Sequence, residues 1–484
     1  MLLSWTLTLP SYAIQWLIPP LFAAMLLFCL LRLPPKASRS TMSPPGTSGW
    51  PLLGETLHFL ASAYTSGPLS FMDRRSSLYG RVFKTNILGS EVIVSADAEV
   101  NNMILQNQGN VFVPAYPKSI RELMGQHSIL QMNGNLHRKL HSLIAGFLRS
   151  PLLKSRIAAD IQRSVTHCLA SWNHHPFIYV QDEVKKITFT ILVRVLMSIG
   201  PGEELEALKR DFEEFIKGLI CMPIKFPGTR LYKSLKAKER MMKTVRKIVE
   251  ERKTATEEKG AARDAVDVLL GDNGLSVEAI SGNIIEMMIP GEETLPTAMT
   301  MAVKFLSDSP RALSSLREEN MQLKRQKTDG GDDYEWTDYM SLPFTQHVIS
   351  ETLRLANIVN AIWRRATKDV EIKGYIIPKG NCVVASLMSV HMDGTIYEKP
   401  LEFNPWRWEE QRMEGSGGNS KKGWYSPFGG GQRLCPGLEV SRLELSIFLH
   451  HLVTTYTWHA HPDHILYFPT VKMSRKLPLT VRPL

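Results

Sequence analysis

The chain is 484 residues long, 44% hydrophobic and 21% charged, with a formal net charge of +10. That balance excludes a disordered chain and a protein that crosses a membrane many times, and the length permits a large folded core. The positive charge is spread from Arg32 to Arg482 without the compact basic run of a nucleic-acid binder, so it points to a membrane surface or an acidic protein partner.

No charged residue precedes Arg32, and Trp16 to Leu31 is apolar apart from the Pro19-Pro20 break. With the mostly apolar residues before Gln15, this stretch is long enough to cross a bilayer once, and it lacks the charged n-region and small-residue cleavage site of a secretory signal. Residues 1–33 are therefore expected to form a transmembrane anchor. Arg32, Lys36 and Arg39 follow, and by the positive-inside tendency they leave the rest of the chain in the cytosol; in a eukaryotic cell the expected membrane is the endoplasmic reticulum. Pro34-Pro35 and Ser43-Pro44-Pro45-Gly46 make residues 34–50 an extended connector, because proline fixes φ and drives its predecessor out of helix. The body is then 51–484.

Most of the body reads as helix. Arg210 to Ile220 places Phe212, Phe215, Ile216, Leu219 and Ile220 at helical spacing, and Leu235 to Lys253 reads as a long basic helix. The best strand signals are Val92-Ile93-Val94 and the stretch Val370 to Ala385, broken by turns at Lys373-Gly374 and Pro378-Lys379-Gly380. The expected architecture is mainly α with a small β-sheet subdomain, behind one transmembrane helix. Five cysteines, Cys29, Cys168, Cys221, Cys382 and Cys435, are odd in number and far apart, without a CxxC pair or zinc-type spacing, so no disulfide framework is expected.

Several segments carry chemistry. Ile289-Pro290-Gly291-Glu292-Glu293-Thr294 reads either as a helix N-terminus whose acids complement the dipole or as a site where Glu293 and Thr294 carry protons. Glu351 and Arg354 form an ExxR beside the apolar stripe Val348, Leu353 and Leu355; on a solvated face such a pair contributes only about 0.2–0.5 kcal/mol. Downstream come Trp363-Arg364-Arg365 and Phe403-Asn404-Pro405-Trp406-Arg407-Trp408. The sharpest segment runs from Ser426 to Glu439, SPFGGGQRLCPGLE, in which a bare glycine run would signify only a turn before a helix.

Phe428, Gly431, Arg433, Cys435 and Gly437 match the FxxGxRxCxG signature at every fixed position, and the chain resembles the cytochrome P450 superfamily from Pro44 to Leu479. The resemblance implies the cytochrome P450 fold and haem b, with Cys435 as the axial iron ligand. A thiolate pushes electron density onto iron and favours O–O cleavage, so it must be deprotonated and kept dry. Arg433 is then expected on one haem propionate and Phe428 beside the sulfur, with Gly431 and Gly437 letting the backbone approach it. Spacing to Asp369 assigns Arg364 to the second propionate, with Arg365 the alternative. Glu351, Arg354 and Arg407 become a structural network, Gly291 a point of close approach to the ring, and Glu293 and Thr294 a proton relay. Two departures stand out: Pro290 with Pro296 should distort the oxygen-face helix, and His137 and His141 stand where relatives have WxxxR.

Within the superfamily, IPGEETLPTAMT, SLPFTQHVISETLR and KDVEIKGYIIPKG look like plant enzymes of brassinosteroid synthesis, in particular steroid C-23 hydroxylases, with C-22 hydroxylases next; Asn381 departs from the tryptophan usual there. This implies a sterol in a long apolar pocket, O2 and NADPH as co-substrates, and NADPH–cytochrome P450 reductase as partner. A same-fold isomerase or dehydratase and a non-catalytic haem or sterol binder are the rival classes, against which Glu293-Thr294 argues. An acidic reductase should meet a basic face near Lys421, Lys422, Arg138 and Lys139.

Overall fold

The computed structural model describes residues 42–50, 53–63, 67–87, 89–107, 109, 111–125, 127–254, 262–272, 274–409, 424–467 and 470–484. The expected anchor, the first part of the connector (34–41), and Lys421 and Lys422 lie outside the described residues. Among the described residues no helix is long and apolar enough to cross a membrane. The end of the connector is already joined to the body: the Lys84 N–H donates to Pro45 O at 2.8 Å and the Thr47 N–H to Lys84 O at 3.2 Å.

A five-stranded sheet has the order Val82–Ile87, Ser90–Ser95, Cys382–Ser386, Ala361–Ala366, Phe112–Pro114. Its pairings are antiparallel except one: Val92 pairs parallel with Cys382, which joins the N-terminal hairpin to a strand far along the chain. Val92, Ile93 and Val94 are all buried, as a run of β-branched residues covered on both faces should be. The stretch expected as strand from Val370 to Ala385 divides in two. Val370–Ile372 and Tyr375–Ile377 form a hairpin whose turn residues Lys373 and Gly374 both have positive φ, the backbone a two-residue hairpin needs. Cys382–Ser386 leaves it for the main sheet.

The rest is largely helical, and one continuous apolar core runs through the helices. The long basic helix spans Arg230–Thr254, longer at its N-terminus than the sequence pattern indicates. The helix expected over Arg210 to Ile220 is Glu203–Ile216, and it stops short of the apolar pattern. The reason is tertiary: a Cβ at Gly218 would stand 2.5 Å from the Ser234 side chain, so the chain turns here to let the basic helix approach. Ile220, Met222, Ile224 and Phe226 are consequently exposed.

A broken helix crosses the core as Val277–Met287, Ile289–Glu293 and Leu295–Asp308. Pro290 and Pro296 each sit in the first turn of a segment, where a missing N–H is tolerated but the preceding helix cannot continue unbroken. The hydroxyls of Thr294, Thr297 and Thr300 donate back to the carbonyls of Pro290, Glu293 and Pro296 four residues earlier, a side-chain bond of the kind that bends helices.

Candidate active site

Glu351 lies in the helix Pro343–Ala356, and both it and Arg354 are fully buried, which removes the solvated-face reading. Its carboxylate accepts from Arg354 Nε and Nη2 at 2.9 and 2.8 Å, Arg407 Nε at 2.9 Å, the Asn404 N–H at 3.0 Å and Trp408 Nε1 at 3.1 Å. Arg354 Nη1 in turn donates to the carbonyls of His391 and Pro400 at 2.7 Å each. The three residues expected to form a network therefore do meet, and they clamp the segment 398–408.

The same hub reaches the cysteine loop through residues that the motifs do not mark. Burial, reinforced by the Arg354 guanidinium, pushes the His391 pKa down to about 3, so the ring is neutral. The Ser426 N–H donates to its Nε2 at 3.0 Å, which places the proton on Nδ1, and Nδ1 donates to Asn357 Oδ1 at 2.9 Å. Tyr425 adds a bond from its hydroxyl to Ser350 O at 3.0 Å. The loop that begins at Ser426 is thus hung from the Glu351 helix at two adjacent residues.

Cys435 closes a turn in that loop, its N–H donating to Phe428 O at 3.0 Å, just before the helix Leu438–Thr455. Phe428 packs against the main core. Burial pushes the thiol pKa up, with the Gly437 N–H opposing, so a thiolate here requires a cation to hold it. Cys435 as a residue is half-buried. Gly431 has φ +60°, and a Cβ there would stand 2.2 Å from Leu105 O. Gly431 thereby admits the helix Ala98–Gln106. Gly437 keeps the expected place, since its Cβ would stand 3.8 Å from Cys435 Sγ.

Cations gather near the loop. Arg364 points inward from its strand while Arg365 is exposed. Its guanidinium bonds the Tyr116 hydroxyl and, through Nη1, Trp363 O at 2.9 Å, while its buried Nε has no partner. Arg433 donates through Nη1 to Leu130 O at 3.2 Å and Ile129 O at 3.4 Å, and through Nη2 to Met132 O and to Asn133 Oδ1 at 3.0 Å. Burial and then Arg364 push the Arg433 pKa down to about 10, and burial, Arg433, His141 and Arg364 push His137 down to about 4. His141 Nε2 lies 2.8 Å from Leu434 O, fixed to the cysteine loop. Among the described residues neither arginine is in an ion pair. A buried Arg364 and a half-buried Arg433, the second pushed down by the first, an orphaned Nε and an enclosed thiol fit a group carrying carboxylates and a thiolate-seeking metal.

The oxygen-face segment packs against a neighbouring helix at Gly291. A Cβ at Gly291 would stand 2.6 Å from Leu192 Cδ2, and Thr188 Oγ1 donates to Gly291 O at 2.6 Å. Gly291 therefore admits the helix Val180–Met197. Glu292 is buried on the same side, bonded to Lys185 Nζ at 2.6 Å, with its pKa raised by burial. Glu293 and Thr294 are half-buried, and the Thr294 hydroxyl donates to Pro290 O at 3.3 Å. Of the basic residues expected to face a partner, Lys139 is already paired with Asp272 at 2.8 Å.

The Cytochrome P450 family profile matches residues 44–476. The chain belongs to the cytochrome P450 family. It is 63% identical to the Arabidopsis thaliana 3-epi-6-deoxocathasterone 23-monooxygenase CYP90C1 across 91% of this chain and 84% of that protein. It is 52% identical to the Arabidopsis thaliana 3-epi-6-deoxocathasterone 23-monooxygenase CYP90D1 across 91% and 89%, and 37% identical to an Oryza sativa subsp. japonica steroid (22S)-hydroxylase across 93% and 89%. The solved structure of a retinoic acid bound cyanobacterial CYP120A1 superposes with a TM-score of 0.79 at 25% identity, covering 92% of this chain and all of that one. A P450 monooxygenase uses haem held by a cysteine thiolate, with O2 and electrons from NADPH, and the enclosed thiol and uncompensated arginines above suit that group. His391, Asn357 and Tyr116 are the residues of this site that motif spacing alone does not reveal.

Proposed function

We propose that this P450 hydroxylates the side chain of a sterol in brassinosteroid biosynthesis, at C-23. The observation that carries this reading is 63% identity over 446 residues to a relative named as a 23-monooxygenase, set against 37% for one named as a (22S)-hydroxylase. Hydroxylation at C-22 is the second reading. Bound haem supplies activation of O2 with electrons passed from NADPH by a reductase.

The chain's own residues hold and orient. Cys435 ligates the iron, and the Gly437 N–H, aimed at the sulfur, favours its anionic form. Arg364 and Arg433 take the haem carboxylates, with neutral His137 and Tyr116 beside them. Thr294 and Glu293 hold the proton-delivering water on the oxygen face. Residues 1–33 anchor the chain in the endoplasmic reticulum membrane with 51–484 in the cytosol, and NADPH–cytochrome P450 reductase is the partner.

The test is reconstitution with that reductase in lipid, followed by incubation with 3-epi-6-deoxocathasterone and, separately, with the same sterol lacking the C-22 hydroxyl. NADPH-dependent addition of one oxygen at C-23 of the first substrate, located by mass-spectral fragmentation, is the expected result. Oxidation of only the second, at C-22, transfers the assignment to the second reading.

A further inference from the structure

Residues 127–133 form a strap between the helix Val277–Met287 and the cysteine loop. On one side the Ile129 N–H donates to Asn283 Oδ1 at 3.0 Å, the Leu130 N–H donates to Glu286 Oε1 at 2.9 Å, and Asn283 Nδ2 donates to His127 O at 3.1 Å. On the other side the carbonyls of Ile129, Leu130 and Met132 and the side chain of Asn133 all accept from Arg433. The Ile129 and Leu130 amides and the His127 carbonyl face the helix, while the carbonyls of Ile129, Leu130 and Met132 face the arginine.

Asn283 and Glu286 are three residues apart on one helix face, and both are buried. A polar group in such a place persists only where its bonds are made, and these two make theirs to the strap. Their placement matters because Arg433 has five N–H donors in one rigid plane. With several of them committed to the strap, the remaining donor directions are set by where the strap lies.

We infer that Asn283 and Glu286 are positioning residues for the haem: by holding the strap they fix the Arg433 guanidinium, and through it the retention of haem and the reduction potential of its iron. The inference rests on the assignment of Arg433 to a haem carboxylate. Loosening the strap returns rotational freedom to the guanidinium and shifts a full charge near the haem edge, which alters both quantities without touching the axial ligand.

The experiment measures haem transfer from ferric holoenzyme to excess apomyoglobin, and the midpoint potential by spectroelectrochemistry. The variants are Asn283→Ala, Glu286→Leu and Glu286→Gln, with Arg433→Gln as reference. Asn283→Ala and Glu286→Leu are expected to release haem about tenfold faster, the lower end of the outer-shell range because they act through the strap and Arg433, and to move the potential in the direction that Arg433→Gln moves it. Glu286→Gln keeps an oxygen to accept from the Leu130 N–H and stays near wild type. The Glu286→Leu/Arg433→Gln double variant is no worse than Arg433→Gln alone, because both act on one guanidinium. Wild-type haem loss and potential in Asn283→Ala and Glu286→Leu, with Arg433→Gln altered, overturn the strap and leave the Arg433 assignment standing. Equal loss in Glu286→Gln and Glu286→Leu overturns it too, pointing to charge instead of the strap. An Arg433→Gln variant indistinguishable from wild type removes the assignment beneath it. If Glu286→Leu yields no holoenzyme, Asn283→Ala carries the same comparison.

Discussion

Arg354→Ala is the most damaging single truncation this site offers. Arg354 donates five hydrogen bonds, two to Glu351 and three to the carbonyls of His391, Pro400 and Glu402. Removing it strands the fully buried Glu351 carboxylate with one arginine in place of two, and breaking a buried pair in this way costs about 3–5 kcal/mol. The deserted carbonyls add roughly another 1–3 kcal/mol. Against a total stability of about 5–15 kcal/mol, this is a large fraction or all of it. Arg407 donates only to Glu351 and to Glu398 O, so Arg407→Ala should cost about half as much. Arg354→Lys should fall between, since an ammonium keeps the charge but cannot reproduce the planar fork. Urea unfolding followed by tryptophan fluorescence, with haem content from the reduced carbon monoxide difference spectrum, gives the order directly. An Arg354→Ala protein with full haem and stability within about 1 kcal/mol of wild type would refute the burial argument, because no desolvated charge could then have been left behind.

Cys435→Ser should abolish the thiolate-type band in the reduced carbon monoxide spectrum, since a hydroxyl does not donate charge as a thiolate does; survival of the band would place the ligand elsewhere. Thr294→Ala should raise peroxide released per NADPH consumed, and unchanged coupling would return Glu293-Thr294 to a helix-start role. Glu444 is buried with its pKa pushed up to about 8 by desolvation alone. Above the unfolded carboxyl pKa the unfolded chain binds fewer protons at this group than the native protein, so stability is lost as pH rises from about 4.5 to 8, by at most about 1.4 kcal/mol per pH unit. Glu444→Gln should flatten that slope in urea titrations at several pH values, and an identical slope in both proteins would show that Glu444 is ionised when folded.

The parts of the site that are contiguous along the chain are legible in the sequence itself. The cysteine loop is one run of residues, ExxR spans one helical turn, and inward Arg364 differs from outward Arg365 by the alternation of a strand. What sequence does not disclose is what only folding brings together. His391 joins Asn357 to Ser426 across separate parts of the chain, and no spacing rule connects them. The same limit explains the neighbours of two glycines. Gly291 and Gly431 permit close approach of Leu192 and Leu105, which no pattern around either glycine could name. The helix that ends at Ile216 shows the limit of periodicity, since its apolar spacing continues to Ile220 and a distant helix decides where it stops.

The parallel pairing of Ser90–Ser95 with Cys382–Ser386 has a consequence for synthesis. Asn101 Nδ2 donates to Ser386 O across 285 residues of chain. At 5–20 residues per second a ribosome needs roughly 15–60 seconds to supply the second strand after the first has emerged. Throughout that interval the apolar Val92-Ile93-Val94 edge has no native partner, and an open edge of this kind recruits strands from other nascent chains. Chains released before Ser386 should accumulate as aggregates, while slower handling by chaperones at that stage should raise the yield of the complete fold.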